Sequence, residues 1–166
     1  EGSGPRHLDF HPNGQWVFVL CELDGNIVVC DWDSKVGMLK PIQSVYVLPE
    51  NLVCSRAYHS GNAHILAAPN GKTVYASTRT DNQIVVFRVD ERTGRLSKIQ
   101  SASTCGVCPR NFHVDETFTE PRIRIVNQDS QNVVTYIINV DGTLRKPPTI
   151  HQIDGFCPYV VTTPVV

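Results

Sequence analysis

The sequence has few charged residues and no long apolar run, and each shortage excludes a class of protein. Charged residues make up 19% of the 166 positions, and 15 Lys and Arg face 16 Asp and Glu, so the net charge is -1. This balance provides no basic surface for a phosphate backbone, so we expect no nucleic-acid binding. The apolar runs are far shorter than the roughly 20 residues that span a membrane, so we expect no membrane association. An apolar fraction of 41% nevertheless predicts a folded chain.

Targeting and cross-linking signals are also missing from the sequence. No basic-then-apolar leader and no Asn-x-Ser/Thr acceptor site is visible, and the six cysteines lack the context of a secreted disulfide framework. We therefore expect a cytoplasmic protein with reduced cysteines. Cys105 and Cys108 form the single CxxC motif, and no second ligand pair stands at a spacing that suits zinc. Since no nucleotide-binding fingerprint occurs either, we expect no metal and no other cofactor.

What the sequence does contain is a repeat of short β-type runs separated by turns. Sustained 3.6-residue apolar spacing is absent, so we expect few helices. Pro12 and Pro69 stand 57 residues apart in equivalent turns, and Pro109 and Pro158 stand 49 apart in a second equivalent position. Four short runs per unit, joined by Asn, Asp and Gly turns at a period near 50, are typical of propeller blades. We predict an all-β fold made of four-stranded antiparallel β-propeller blades.

The repeat divides the chain into three complete units and the opening strand of a fourth. The units span residues 4–47, 62–104, 108–150 and 157–166, and residues 48–61 form a predicted loop insertion. A ring needs about four to eight blades, so this number of units cannot close one. We expect either part of a longer protein or self-association of copies through the open propeller edges. A β-sandwich is the alternative, but it does not explain the repeated order of turns.

The repeat places several polar side chains at one end of the predicted channel. The start of the innermost strand of a blade and the end of its second strand meet at the same end. By this rule seven side chains converge on one mouth: Arg6, His7, Glu22, His64, Arg79, Arg110 and Gln128. Three arginines at the mouth of an apolar scaffold suit an anionic, oxygen-rich small ligand. Each residue also has a structural alternative, since an Arg or His can tie two blades together and a Glu can simply pair with an Arg.

Several segments, taken in order, resemble a known family. These segments are Gly4–Gly14, Glu22-Leu-Asp24, Leu48-Pro-Glu50, His64, Pro69-Asn-Gly71, Thr78-Arg-Thr80, Phe87-Arg-Val-Asp90, Pro109-Arg-Asn-Phe112 and Asn127-Gln-Asp-Ser130. They resemble the seven-bladed propeller lactonases, which include the 6-phosphogluconolactonases of the propeller type and the related carboxy-cis,cis-muconate cyclase. The family is about twice as long as this chain, which is similar to its C-terminal half. The resemblance implies about three blades of a seven-bladed ring.

The resemblance also implies a site and a substrate. The site contains Arg6, Glu22 and Arg79, together with a His from an earlier blade that would lie upstream of residue 1. The implied activity is hydrolysis of 6-phosphogluconolactone, a small anionic sugar lactone, in the pentose phosphate pathway. Residues 117–122 depart from the family pattern because they lack a glycine-bearing turn. This departure leaves the register of the following strand, and with it the position of Gln128, open.

The predicted site residues divide into two roles. Since Glu22 is the only carboxylate predicted at the mouth, we assign it as the general base, with His64 as its alternate. Arg6 and Arg79 would hold the phosphate or the developing oxyanion. The residues assigned to substrate binding are His7, Arg110, Asn111 and Gln128.

Two other functions fit the same sequence. A non-catalytic propeller that binds proteins is one of them, because fold alone does not imply catalysis. Exposed aromatic residues around the mouth would favour that function, whereas the predicted mouth is charged. A muconate-type cycloisomerase is the other, and it would need mainly two clamps for carboxylates. The sequence favours the lactonase over both.

Overall fold

The computed structural model describes residues 2–48, 61–155 and 157–161, and within them it contains twelve strands and no helix. The strands form three antiparallel sheets of four strands each, which confirms the predicted partial propeller. The first sheet consists of β1 (Pro5–Phe10), β2 (Trp16–Cys21), β3 (Asn26–Asp33) and β4 (Met38–Tyr46). The second consists of β5 (Asn62–Ala67), β6 (Thr73–Thr78), β7 (Gln83–Val89) and β8 (Leu96–Ser103). The third consists of β9 (Pro109–Asp115), β10 (Arg122–Asn127), β11 (Asn132–Ile138) and β12 (Leu144–Gln152).

Each sheet is a meander whose strands pair in the order in which they follow along the chain. Residues 49–60, which make up most of the predicted loop insertion, lie outside the described residues. Residues 157–161, the described start of the predicted fourth unit, are not in a strand. No helix within the described ranges is long and apolar enough to cross a membrane.

Short polar side chains build the turns that separate the strands. In the turn between the last two strands of each blade, one Asp Oδ1 accepts a backbone N–H two residues later. These aspartates are Asp33, Asp90 and Asp141, with donor–acceptor distances of 2.9, 3.0 and 3.0 Å. Such side-chain-to-backbone bonds stabilise a tight reversal, which explains why aspartate recurs in this turn of each blade.

In the third blade, a carboxylate stabilises the turn between β9 and β10, which lacks glycine. Asp115 Oδ1 accepts the backbone N–H of Thr117 at 3.0 Å and its hydroxyl at 2.6 Å. Strand β10 then begins at Arg122, which pairs with Asp115, and continues in register to Val126; the register shifts before Asn127, as it does at the same end of the other two blades. The register that the sequence left open is therefore that of the other two blades, and Gln128 follows the second strand as Glu22 does.

Two apolar interfaces hold the three blades together. Phe18 and Leu20 of the first blade pack against Phe87 of the second in one cluster, and all three are fully buried. Tyr75 of the second blade packs with Tyr136 of the third in another cluster. Both tyrosine hydroxyls donate to backbone carbonyl oxygens, at 2.9 and 2.7 Å, so neither leaves an unsatisfied polar group. Burial raises the pKa of Tyr75 to about 12.

A repeated amide contact fixes the outer strands of neighbouring blades. The Gln43 side chain donates to the carbonyl oxygen of Leu96 at 2.9 Å and accepts its N–H at 2.7 Å. Gln100 makes the same pair of bonds with the backbone of Leu144, at 3.1 and 2.6 Å. Each amide therefore acts as one more rung of a β-ladder between two sheets. These contacts limit how far adjacent blades can rotate and so help to position the residues at the mouth.

Candidate active site

The site is built on one position that repeats in all three blades. Glu22, Arg79 and Gln128 each stand directly after the second strand of their blade. The backbone N–H of each donates to the carbonyl oxygen of the residue just before the first strand of the same blade, over 2.8–2.9 Å. Because this bond joins the two inner strands at one end of the sheet, the three side chains leave the sheets at the same end. The predicted common mouth thus has a backbone basis.

At the first two blades this position forms an ion cluster. An Nη2–H of Arg79 donates to Oε1 of Glu22, and Nε of Arg6 lies 3.8 Å from Oε2 of the same carboxylate. The side chains of Arg79 and Arg6 are 6% and 17% exposed, whereas that of Glu22 is 32% exposed. The two guanidiniums therefore lie behind and beside the carboxylate, and Glu22 is the member of the cluster most accessible to solvent.

Arg6 also ties the first blade to the second. Its Nη1 donates to the carbonyl oxygen of Ala63 in β5. The pKa of Arg6 is lowered by burial and by the positive charges of Arg79 and Arg110, and raised in part by Glu22. The structural alternatives considered for Arg6 and Glu22 both hold, since Arg6 joins two blades and Glu22 pairs with arginine. An arginine lies at each carboxylate oxygen of Glu22, and the side chain is still 32% exposed.

A pair of histidines lies beside Arg6. Nδ1 of His7 and Nδ1 of His64 are 2.8 Å apart, and the rings meet edge to face with centroids at 5.0 Å. Arg6 Nη1 lies 3.0 Å from Nε2 of His7 and 3.3 Å from its Nδ1. A guanidinium can only donate, so the closer nitrogen, Nε2, accepts, and His7 Nδ1–H then donates to His64. This assignment leaves the proton of His64 on Nε2.

Both histidines favour their neutral forms. Burial, followed by the charges of the neighbouring His7, Arg6 and His113, lowers the pKa of His64 to about 4. Burial and the charge of Arg6 likewise lower the pKa of His7. At neutral pH the positive charge of the mouth therefore resides on its arginines.

Gly61 provides the room in which the first two blades meet at the mouth. It has φ of +87°, and a Cβ atom there would lie 2.3 Å from the carbonyl oxygen of Glu22. Its N–H donates to the hydroxyl of Thr80 at 2.8 Å, and its carbonyl oxygen accepts the N–H of Arg79 at 2.9 Å. Only glycine adopts this conformation at so close an approach without strain.

At the third blade the same position carries a neutral side chain. Nη1 of Arg110 donates to Oε1 of Gln128 at 3.1 Å, and Nε2 of Gln128 donates to Oδ1 of Asp129 at 3.2 Å. Asn111, a predicted substrate-binding residue, is oriented elsewhere, because its Oδ1 accepts the N–H of Val160 at 3.1 Å. Asn111 thus fastens the start of the fourth unit to the third blade.

Sequence reasoning found most of this cluster and missed three parts of it. Contacts join five of the predicted residues directly: Arg6, His7, Glu22, His64 and Arg79. The missed parts are Gly61, the carbonyl oxygen of Ala63, and Asp129, a second carboxylate near the mouth. Gly61 stands before β5 as Gly4 stands before β1, and this equivalence was a readable signal.

The described residues offer little support for a metal site or for a cysteine nucleophile. They contain no group of three His, Cys, Asp or Glu side chains placed to hold a metal ion. The five described cysteines are free, and the buried ones are Cys21, Cys30 and Cys108. Burial raises the pKa of the Cys108 thiol, which makes it a poor nucleophile at neutral pH.

A family model described as "Lactonase, 7-bladed beta-propeller" matches residues 1–155. The chain belongs to this family. It is 33% identical to the 6-phosphogluconolactonase of Formosa agariphila over 157 residues, covering 93% of this chain and 42% of that protein. It is 30% identical to the 6-phosphogluconolactonase of Bacillus subtilis over 135 residues, covering 81% of this chain and 37% of that protein.

A solved structure shows the same likeness. The periplasmic gluconolactonase PpgL of Pseudomonas aeruginosa superposes with a TM-score of 0.82 at 25% identity, covering 92% of this chain and 40% of that one. The chain therefore spans less than half the length of the relatives that it matches.

Proposed function

We propose that the chain forms three blades of a lactonase that hydrolyses 6-phosphogluconolactone to 6-phosphogluconate without a metal ion. The observation that carries this proposal is the cluster of Arg6, Glu22 and Arg79 at the mouth of a chain that belongs to a lactonase family. The active form is a ring completed by further blades. We place the enzyme in the cytoplasm and in the pentose phosphate pathway.

In the proposed reaction, Glu22 acts as general base toward water. Its accessible carboxylate edge takes a proton from a water molecule while the water oxygen bonds to the lactone carbonyl carbon, and the carbonyl oxygen becomes an oxyanion. Arg6 or Arg79 stabilises that negative charge. When the carbonyl re-forms, the bond to the ring oxygen breaks, and the ring oxygen takes the proton from Glu22. The product is an open-chain acid, which ionises in water.

The geometry favours Glu22 over His64 as the base. Nδ1 of His64 accepts the hydrogen bond of His7, and its Nε2 carries the proton, so neither nitrogen is available to accept a proton from water. The ring also packs edge to face on Phe112, with centroids at 4.8 Å. We assign His7 and His64 to positioning: His7 contacts the same Nη1 of Arg6 that donates to Ala63, and His64 holds His7.

The test is direct measurement of lactone hydrolysis by the intact propeller. We expect hydrolysis of 6-phosphogluconolactone well above the spontaneous rate, unchanged by a chelator. Loss of activity on chelation, restored by one divalent ion, would contradict metal independence. Lactonisation of a carboxymuconate would instead support the cycloisomerase, and a protein inactive toward both classes of substrate would support the interaction module.

A further inference from the structure

Arg110 differs from the other two arginines of the mouth in what it binds. Arg79 and Arg6 share the carboxylate of Glu22, and each also donates to a backbone carbonyl oxygen of the second blade, at Asn62 and Ala63. The charge of both guanidiniums is thus balanced by one carboxylate. Arg110 lies on the neighbouring blade, close enough to lower the pKa of Arg6.

Among the described residues, the hydrogen bond of Arg110 goes to a neutral amide, Oε1 of Gln128. This bond uses one of the five N–H groups of the guanidinium. No salt bridge with a carboxylate is formed by Arg110 within the described ranges, so its charge is balanced less closely than that of Arg79. Arg110 is also partly exposed, whereas the side chain of Arg79 is only 6% exposed.

Gln128 is oriented to support this arrangement. Its Nε2 donates to Oδ1 of Asp129, which fixes the amide with its oxygen toward Arg110. A fixed amide holds the guanidinium on one side and leaves its remaining donors free to point away from the blade. A planar guanidinium with two adjacent free N–H groups matches the spacing of oxygen atoms in a phosphate group.

We infer that Arg110, held by Gln128, is the phosphate-recognising residue of the site and determines its preference for a phosphorylated lactone. The inference rests on the proposed lactonase function, and it moves phosphate binding to Arg110 from Arg6 and Arg79, which the sequence assigned to the phosphate or the oxyanion. Arg6 and Arg79 then bind the carboxylate of Glu22 and stabilise the reacting carbonyl group of the lactone. A lactone bound in this way would have its reacting end at the first two blades and its phosphate at the third.

The experiment compares two substrates that differ only in the phosphate. In the intact propeller, kcat/KM is measured for 6-phosphogluconolactone and for glucono-1,5-lactone, in the wild type and in Arg110→Ala, Arg110→Lys and Arg79→Ala. We expect Arg110→Ala to lower kcat/KM for the phosphorylated lactone by about 10- to 100-fold and to leave the other substrate nearly unchanged. Arg110→Lys should be intermediate because it keeps the charge and loses the fork. Arg145→Ala, an exposed arginine of β12, is the matched control.

Three outcomes decide the inference. An equal loss for both lactones in Arg110→Ala would overturn it, and so would a phosphate-selective loss in Arg79→Ala alone. A wild type that hydrolyses both lactones equally well would also overturn it while leaving the lactonase function intact. If the wild type hydrolyses neither lactone, the proposed function fails, and calorimetric titration with 6-phosphogluconate and gluconate tests Arg110 separately. Phosphate-dependent binding that disappears in Arg110→Ala supports the inference, and its absence in the wild type overturns it.

Discussion

At the mouth, the position directly after the second strand carries different chemistry in the first two blades and in the third. Glu22 and Arg79 at this position form an ion pair across a blade interface, whereas Gln128 at the third accepts a hydrogen bond from the charged Arg110 through its neutral amide, inside its own blade. The backbone hydrogen bond that fixes the position is the same in all three, at 2.8–2.9 Å. The scaffold therefore dictates where these side chains stand and leaves their chemistry to the residue type. We propose that the ion pair of the first two blades serves the reaction and that Arg110 of the third, whose charge no described carboxylate pairs, serves recognition.

The largest expected effect on activity comes from replacing Glu22. If its carboxylate is the base, Glu22→Gln keeps the shape of the side chain and should lower kcat by on the order of 10²- to 10⁴-fold with little change in KM. Steady-state hydrolysis of 6-phosphogluconolactone measures it. Glu120→Gln, an exposed carboxylate that pairs with Arg145, is the control and should be neutral. Full activity in Glu22→Gln would show that the carboxylate of Glu22 is not the general base.

A second prediction concerns the pH dependence of stability at the histidine pair. The folded-state pKa of His64, about 4, lies below its ordinary value of 6.5, so the unfolded chain takes up a proton first as the pH falls. The stability due to neutral His64 is fully present above pH 6.5 and should be lost between pH 6.5 and 4, by about 3 kcal/mol in total.

Urea unfolding of the chain at pH 7 and pH 4.5 measures this loss. His7, which faces His64 and whose pKa is also lowered, contributes to the same loss. The informative quantity is therefore the difference between the wild type and His64→Gln, which should lose less stability on acidification. Equal losses in the two proteins would show that His64 does not carry the effect.

A third prediction concerns the close contact at Gly61. Gly61→Ala places a Cβ against the carbonyl oxygen of Glu22 at a positive φ, so we expect a loss of more than about 1 kcal/mol in the free energy of unfolding and a fall in activity. Gly14→Ala is the matched control, since Gly14 has φ of +71° but no atom within 4 Å of the added Cβ. Chemical denaturation of both variants separates crowding from backbone strain. Equal losses would show that the approach to Glu22 costs nothing.

The smallest expected effect concerns the two outer faces of the three-blade array. At the first and third positions of the second strand, the blades carry the following pairs: Trp16 and Phe18, Thr73 and Tyr75, Arg122 and Arg124. The aromatic pair packs against the next blade, whereas both arginines of the third lie over the ring of Phe118, at 4.6 and 5.5 Å from its centroid. On β1, by contrast, Leu8 and Phe10 are exposed.

We therefore expect residues 1–166 alone to associate weakly through the β1 side. Phe10→Lys should reduce this association and Arg122→Glu should not, as measured by sedimentation over a range of concentrations. Phe10 is the apolar member of the comparison and Arg122 the charged one. A compact monomer at high concentration would contradict the expectation.

The sequence predicted the fold well because the repeat shows both the turns and the lengths of the strands between them. Asp33, Asp90 and Asp141 recur at one turn, and the apolar runs between turns have the length of strands, so blade architecture followed from spacing. The position of Gln128 did not follow, because the bond of Asp115 that replaces a glycine turn depends on where its side chain points. Contacts across blades, such as that of Gln43 with Leu96, also depend on three-dimensional packing that no local pattern encodes.

The sequence predicted which residues lie at the candidate site better than it predicted their contacts and roles. Equivalent strand ends identified Glu22 and Arg79, but their pairing is a property of distance between blades. That pairing and the hydrogen bond between His7 and His64 are the observations on which the proposed roles of base and positioning residue rest. The orientation of Asn111 toward Val160 likewise depends on a contact between residues 49 positions apart.

The central claim is that a lactone binds across the mouth, with its reacting end at the ion cluster and its phosphate at the third blade. A crystal structure of the intact propeller with 6-phosphogluconate tests it most directly. We predict the product carboxylate within hydrogen-bond distance of Arg6, beside Glu22, and the phosphate within hydrogen-bond distance of the Arg110 guanidinium. A product bound outside the mouth, or one whose phosphate contacts Arg79 while Arg110 contacts only Gln128, would contradict the account.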